Sequence, residues 1–159
     1  MVACIILGLI LLSLIGILLY RRHTIYENAL SFRDAVNLTE LPIVTFYNGY
    51  KKLNMLLDTG SSECIISKEY LEDIIYTETE KYKEVFGMEG NIVKNPVVST
   101  TLSYSGLKFD IEAIAIDMSS AFSAIKNDSG VTIHGILGST FFTRYKYILD
   151  FDKLLFYKK

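Results

Sequence analysis

Hydrophobic and polar positions alternate in three different ways along this 159-residue chain, and the changes divide it into segments. Residues 2–19 carry no charge and are dominated by Leu and Ile. Such a run just reaches the length needed to cross a bilayer as a helix. Tyr20-Arg21-Arg22-His23 closes it. The charge follows the apolar core and no small-residue cleavage site appears, so a retained anchor over residues 1–22 is expected in preference to a cleaved signal. Arg21 and Arg22 on the C-terminal flank predict a single-pass membrane protein with the remaining domain facing the cytoplasm. Residues 23–41 are mixed and polar and are read as a juxtamembrane tether, with the folded domain spanning residues 42–159.

From Pro42 onward the pattern is that of short strands. Asn48-Gly49 lies between the strand-like runs 43–47 and 50–57, a hairpin signal in which both turn residues must tolerate positive φ. The second arm ends in Met55-Leu56-Leu57, which carries it into the core. Asp58-Thr59-Gly60-Ser61-Ser62 follows as a tight loop, and Cys64-Ile65-Ile66 resumes a buried strand. Ser67 is placed to cap a short helix reaching Ile75. Residues 83–97 contain Gly87, Gly90, Asn91 and Pro96 and are expected to be a flexible stretch. Residues 98–104 and 107–117 alternate about a Ser105-Gly106 turn. Short helices are predicted over 119–126 and 139–144, an apolar strand over 133–138, and a closing hairpin over 147–157. Many short strands with brief helices argue for a mostly β domain forming a small closed barrel.

Composition narrows the function classes. With 16 basic and 18 acidic residues the formal charge is −2, and the basic residues form no block of the kind nucleic-acid binding needs. Cys4 lies in the apolar run and Cys64 in a predicted buried strand, so no disulfide is expected. Two histidines without a Cys/His cluster give no metal site, and no cofactor is expected.

Candidate chemistry concentrates at Asp58. An Asp-x-Gly string alone is a common turn. Here an apolar strand leads in, small hydroxyl residues follow, and a β-branched strand leads out, which predicts a buried, functional acid. Leu57-Asp58-Thr59-Gly60-Ser61-Ser62 followed by Ile65-Ile66 resembles the active-site loop of retroviral-type (retropepsin-like) aspartic proteases. Ile136-Leu137-Gly138 is similar to the strand that passes behind that loop. The helical turn from Ser139 and the strand around Tyr147-Ile148-Leu149-Asp150 follow in the family's order, and residues 85–90 fall where the family places its flap. The resemblance covers residues 41–157.

The resemblance implies an aspartic endopeptidase that activates water between two carboxylates sharing one proton. One acts as general base and the other as general acid. It assigns catalysis to Asp58, loop support to Thr59, Gly60 and Ser61, and a flap to Phe86, Gly87, Met88 and Gly90. A chain this short holds one such loop, so two copies are expected to pair as a homodimer about a two-fold axis. The partners expected are therefore a second copy, a peptide or protein substrate, and the lipid bilayer through residues 2–19. The alternative weighed against it is a catalytically silent, membrane-anchored peptide-binding module of the same fold. Asp128-Ser129-Gly130 is a second D-[ST]-G string, but its polar approach marks a surface turn. Asp150 and Asp152 are expected at a hairpin, and Arg144, Lys146 and His134 away from the chemistry.

Overall fold

The structure, a computed structural model, describes residues 8, 10–16, 29–86 and 92–158. Among the described residues, nine strands and three α-helices follow residue 30. Helix α1 (Phe32–Thr39) comes first, then β1 (Ile43–Asn48), β2 (Lys51–Leu57) and β3 (Cys64–Ser67). A 3-10 helix (Lys68–Asp73) leads to the long strands β4 (Tyr76–Phe86), β5 (Ile92–Tyr104) and β6 (Leu107–Ile116). Helix α2 (Ser119–Ser129), β7 (Gly135–Leu137), helix α3 (Ser139–Tyr145), β8 (Tyr147–Asp150) and β9 (Leu155–Lys158) complete the chain.

Seven strands form one sheet in the order β1-β2-β7-β3-β6-β5-β4, and a β1–β5 pairing through Tyr47 and Ser103 closes six of them into a barrel. Strands β8 and β9 make a separate hairpin. The central feature is β7, which runs parallel to β2 on one side and antiparallel to β3 on the other. It thus separates the two strands joined by residues 58–63. The expected small closed barrel is present. Its interior is aromatic: Phe46 is fully buried and stacks against Tyr104, Phe109, Phe141 and Phe156 at centroid distances of 5.2–6.0 Å.

Both tight hairpins have identifiable turn chemistry. Ser105 and Gly106 adopt φ of 49° and 80°, the two positive values a type I′ turn requires. At the first hairpin the register differs from the expected one by a residue. Asn48 pairs with Lys51, so the turn residues are Gly49 and Tyr50, and of these only Gly49 has positive φ (58°). That is the glycine-first pattern of type II′. Asn48 is released from turn duty and is buried instead. Its amide donates to Ile75 O, Thr100 Oγ1 and Thr101 O at 2.9–3.1 Å and its oxygen accepts from Ile75 N, tying the hairpin to the root of β4.

The folded unit starts earlier than Pro42. Residues 32–39, expected as part of a tether, form α1, and its Phe32 and Ala35 are buried. Ser31 caps the helix by accepting from Asp34 N at 3.2 Å, and Leu30 bonds through its backbone to Thr45 of β1. The stretch expected to be flexible is also more ordered than foreseen. Residues 83–86 and 92–97 extend β4 and β5, whose alternation is hidden because both faces are largely polar. Ser67 precedes the 3-10 helix without making a side-chain cap. Of the expected anchor, residues 10–16 are helical and their Leu and Ile side chains are exposed, while residues 1–7, 9 and 17–22 lie outside the described residues. Among the described residues no helix is long and apolar enough to cross a membrane.

Candidate active site

Residues 58–62 leave the barrel where β2 ends and return as β3 begins. Their position is set by β7 and α3 rather than by their own turn alone. Asp58 N donates to Leu137 O at 3.1 Å, so the last residue of β7 holds the first residue of the loop. Ser139 N donates to Ser61 O at 2.7 Å and Thr140 N to Ser62 O at 3.3 Å, so the first turn of α3 supports the loop's far side. Ser61 N donates back to Asp58 O at 3.3 Å, and Ser61 Oγ donates to Glu63 O at 2.9 Å. The contacts from Leu137, Ser139 and Thr140 use backbone of a strand and a helix packed on the barrel, and the Ser61 contacts close the loop on itself.

Gly138 allows this close docking. A Cβ there would lie 2.3 Å from Glu63 O and 2.8 Å from Ser61 O, and both neighbours are backbone. Its φ of −83° suits any residue, so contact rather than conformation demands glycine. Ile136 and Leu137 fill the space behind the loop and are buried. Leu137 O and the Cα of Gly138 thus lie against the backbone of residues 58–63.

At the loop's centre Gly60 N donates to Asp58 Oδ1 at 2.8 Å, orienting the carboxylate. A Cβ on Gly60 would sit 3.1 Å from that same oxygen. Asp58 is half-buried, and Thr59, Gly60 and Ser62 are exposed. The expectation of a buried acid is thus corrected for the single chain. The strand that delivers Asp58 is buried, but the carboxylate stands at an open surface. The structure brings Asp58, Thr59, Gly60, Ser61, Ile136, Leu137 and Gly138 together. Phe86 is the last residue of β4, and Gly87, Met88 and Gly90 lie outside the described residues.

Other carboxylates and bases are placed elsewhere. Asp128 belongs to α2 rather than to a turn. The helix runs to Ser129 and Gly130 ends it at φ 74°. Phe122 is buried and Ile125, one turn on, is partly buried against the same cluster, so this face of α2 packs on the barrel. Asp150 accepts from Lys153 N at 2.9 Å in the β8–β9 turn, as expected. His134 Nδ1 accepts from Asn54 N at 3.1 Å and its ring packs on Tyr70. Burial, and secondarily the Lys51 ammonium, lower its pKa to about 4, so it is a neutral structural acceptor. Cys64 lies under the loop near Gly138 and Thr140, where burial pushes its thiol above the usual value and keeps it protonated. No metal-holding group of His, Cys, Asp or Glu exists among the described residues. A cleft of about 380 Å³ lined by Tyr47, Asn48, Tyr76, Thr101 and Lys108 includes no residue of the 58–62 loop.

Two residues near the loop were not singled out by sequence. Glu63, directly after it, pairs with Lys83 of β4 at 2.9 Å. Only the tertiary fold brings these two, twenty positions apart, together.

Comparison with known proteins agrees with the wiring. A family model described as aspartyl protease matches residues 43–141, more than half of the chain and the whole span from β1 into α3. No curated protein is matched by the sequence. The retroviral protease-like domain of Ddi1 from Leishmania major superposes with a TM-score of 0.52 at 11% identity, over 75% of this chain and 88% of that one. EIAV protease in complex with the inhibitor HBY-793 gives 0.48 at 19% identity, over 68% and 90%. Simian foamy virus (mac) protease gives 0.44 at 15%, over 64% and 91%. The first likeness supports the retropepsin-like barrel, and the match across the loop and its backing strand places this chain in the aspartyl protease family.

Proposed function

We propose that this protein is an endopeptidase in which two copies each contribute Asp58, and that a water held between the two carboxylates attacks the peptide bond. One observation carries the reading. The Asp58 carboxylate is oriented by Gly60 N–H at 2.8 Å, yet stands half-exposed, beside exposed Thr59 and Gly60, at the surface of the barrel. A rigidly supported acid at an open face is suited to completion by a second copy.

In the paired form the like charges cannot both ionise, so one proton is shared and the two groups titrate as a unit. The ionised member removes a proton from the water as it attacks. The protonated member donates to the carbonyl oxygen. As the C–N bond breaks, the member that took the water's proton passes it to the leaving nitrogen, and the member that donated takes back a proton from the gem-diol as the carbonyl reforms. Gly60 N–H keeps Oδ1 fixed so that neither carboxylate must reorient during the step. The apolar run 2–19 is proposed to hold the domain at a membrane with residues 23–159 on the cytoplasmic side. Confinement to a plane would raise the local concentration of half-sites.

The test is cleavage of a mixed peptide library by the full chain in mild detergent, over a range of pH. Asp58→Asn is expected to lower the rate about 10²–10⁴-fold, the range for losing general acid–base catalysis, while barrel and dimer persist. Asp128→Asn is expected to cleave like the parent. Specific activity should rise with protein concentration, and an excess of the Asp58→Asn chain should suppress the parent by forming mixed dimers. Undiminished cleavage in Asp58→Asn rules the mechanism out.

A further inference from the structure

At the end of β2 opposite the Asp58 loop, the outer face of the barrel carries a cleft of about 380 Å³, the small end of the range for ligand sites. The seven residues of β2 separate loop and cleft by about 23 Å of extended strand. Val98, Thr100 and Leu102 of β5 are buried, so the alternate residues Ser99, Thr101 and Ser103 point outward and form a floor about 13 Å long. Thr77 of β4 pairs with Ser99 and Lys108 of β6 with Ser103, marking its two ends. Beneath it lies the barrel seam. β1 joins β5 through the single pair Tyr47–Ser103, and the buried Asn48 amide, bonded to Thr100, Thr101 and Ile75, fills the rest of the gap. A floor pinned in this way is set before any ligand arrives.

The lining offers donors at both ends and one charge. Among the described residues, Lys108 is the only charged residue lining the cleft. Among the same residues no ion pair or hydrogen bond engages its ammonium, and none engages the hydroxyls of Thr77 and Ser99. The other two floor hydroxyls have committed their protons. Ser103 donates to Tyr47 O at 3.3 Å, and Thr101 donates to Oδ1 of Asp110, an acid outside the lining, at 2.7 Å. The rim is apolar. Tyr50 and Ile75 are 92% and 71% exposed, the highest values for large hydrophobic residues among those described from 29 to 158. They meet at the cleft, because a Cβ on Gly49, the residue before Tyr50, would lie 3.1 Å from Ile75 Cδ1. Single exposed apolar residues are ordinary. Two of them beside a cleft with convergent free donors have the composition of a binding site.

We infer that this cleft binds the C-terminal end of a peptide, with the carboxylate at Lys108, backbone carbonyls accepting from Ser99 and Thr77, and apolar side chains on Ile75 and Tyr50. An extended peptide advances about 3.3 Å per residue, so the floor takes about four residues. A free carboxylate fits better than a mid-chain segment, since one end of the cleft holds an unpaired cation and no acid lines it. Endopeptidase cleavage creates such carboxylates, so the site suits a product of the reaction; that link rests on the proposed protease function. Lys108 is exposed, so its contribution to affinity is modest.

Fluorescence anisotropy tests the site with the full-length Asp58→Asn chain in mild detergent and an N-terminally labelled Ala-Ser-Leu-Phe peptide, made as the free acid and as the C-terminal amide. A statine-type inhibitor is present throughout to occupy the Asp58 site. The free acid is expected to bind saturably and about two- to fivefold more tightly than the amide, the range of an exposed ion pair. Lys108→Gln should erase that difference, Lys108→Glu should reverse it and Lys108→Arg should keep it. Ile75→Ser should weaken both forms about fourfold, the effect of one buried methylene. Both side chains are exposed, so these variants keep the fold. Equal binding of acid and amide, a preference that survives Lys108→Gln, or no saturable binding overturns the site. A parent chain that cleaves peptides while acid and amide bind alike loses the site and keeps the protease. An inactive parent whose Asp58→Asn form still prefers the acid refutes the protease and leaves the site standing.

Discussion

Gly138 has no functional group, yet the Asp58 loop packs directly on it. The backbone of Glu63 and Ser61 approaches its Cα so closely that a methyl group has no place, and backbone cannot swing aside as a side chain can. Gly138→Ala is expected to cost about 1–3 kcal/mol, the usual range for overpacking, and to displace residues 61–63. Urea denaturation of the variant checks the stability, and the peptide assay checks the loop. A parent-like result in both would mean that the loop yields at no cost. Asn48 shows the same scale from the polar side. In sequence it looks like a turn residue because Asn-Gly is such a strong hairpin signal. The structure uses Gly49 for the turn and buries Asn48 as a four-bonded strut to Ile75, Thr100 and Thr101. The residue type was legible, but its use was not, since the choice between turn types depends on what lies under the hairpin.

Elements with one apolar face and one polar face were readable, and those without were not. β1, β2, β6 and the terminal hairpin carry strong alternation or apolar runs, and they appear where the pattern puts them. Helix α1 was read as tether because its buried stripe is thin. Phe32 and Ala35 are its only buried residues, among Arg33, Asp34 and Asn37. Its tertiary contacts nonetheless make it part of the domain. Phe32 is 3% exposed and meets Phe151 edge-to-face at 5.3 Å, and Arg33 donates to Lys153 O at 2.9 Å. Phe32→Ala is expected to destabilise the full chain by about 3–5 kcal/mol, as deletion of a buried aromatic ring does. A chemical-denaturation shift below about 1 kcal/mol would show that α1 rides on the barrel without stabilising it. β4 escaped detection for the opposite reason. Thr77-Glu78-Thr79-Glu80-Lys81 is polar on both faces because the strand lies at the sheet edge, where neither face needs to be apolar.

At the scale of the whole molecule, acidity limits stability through His134. His134 is depressed to about 4 in the folded chain against about 6.5 unfolded, so the folded state binds fewer protons within that interval. Its contribution is fully present above pH 6.5 and is lost as pH falls toward 4. After allowance for the ring's partial exposure, the loss is about 2 kcal/mol. Asp117 and Asp150, both lowered by hydrogen bonds, lose their contributions only as pH falls below the ordinary carboxylate range, so the His134 interval is separable. His134→Gln, which keeps an acceptor for Asn54 N, should flatten stability between pH 6.5 and 4 in urea titrations. A variant profile parallel to the parent would remove His134 as the cause.

The chain's own order of residues determined the barrel class, the loop that presents Asp58 and the strand that backs it. These follow from local pattern: an apolar strand must end somewhere, and Asp-Thr-Gly ends it in a turn with little freedom. Tertiary structure alone decided that Asp58 stands at an open face, that Asp128 is lost in a helix, and that Glu63 and Lys83 meet. Burial, helix continuation and ion pairing depend on which distant segments arrive, and no spacing along the chain records that.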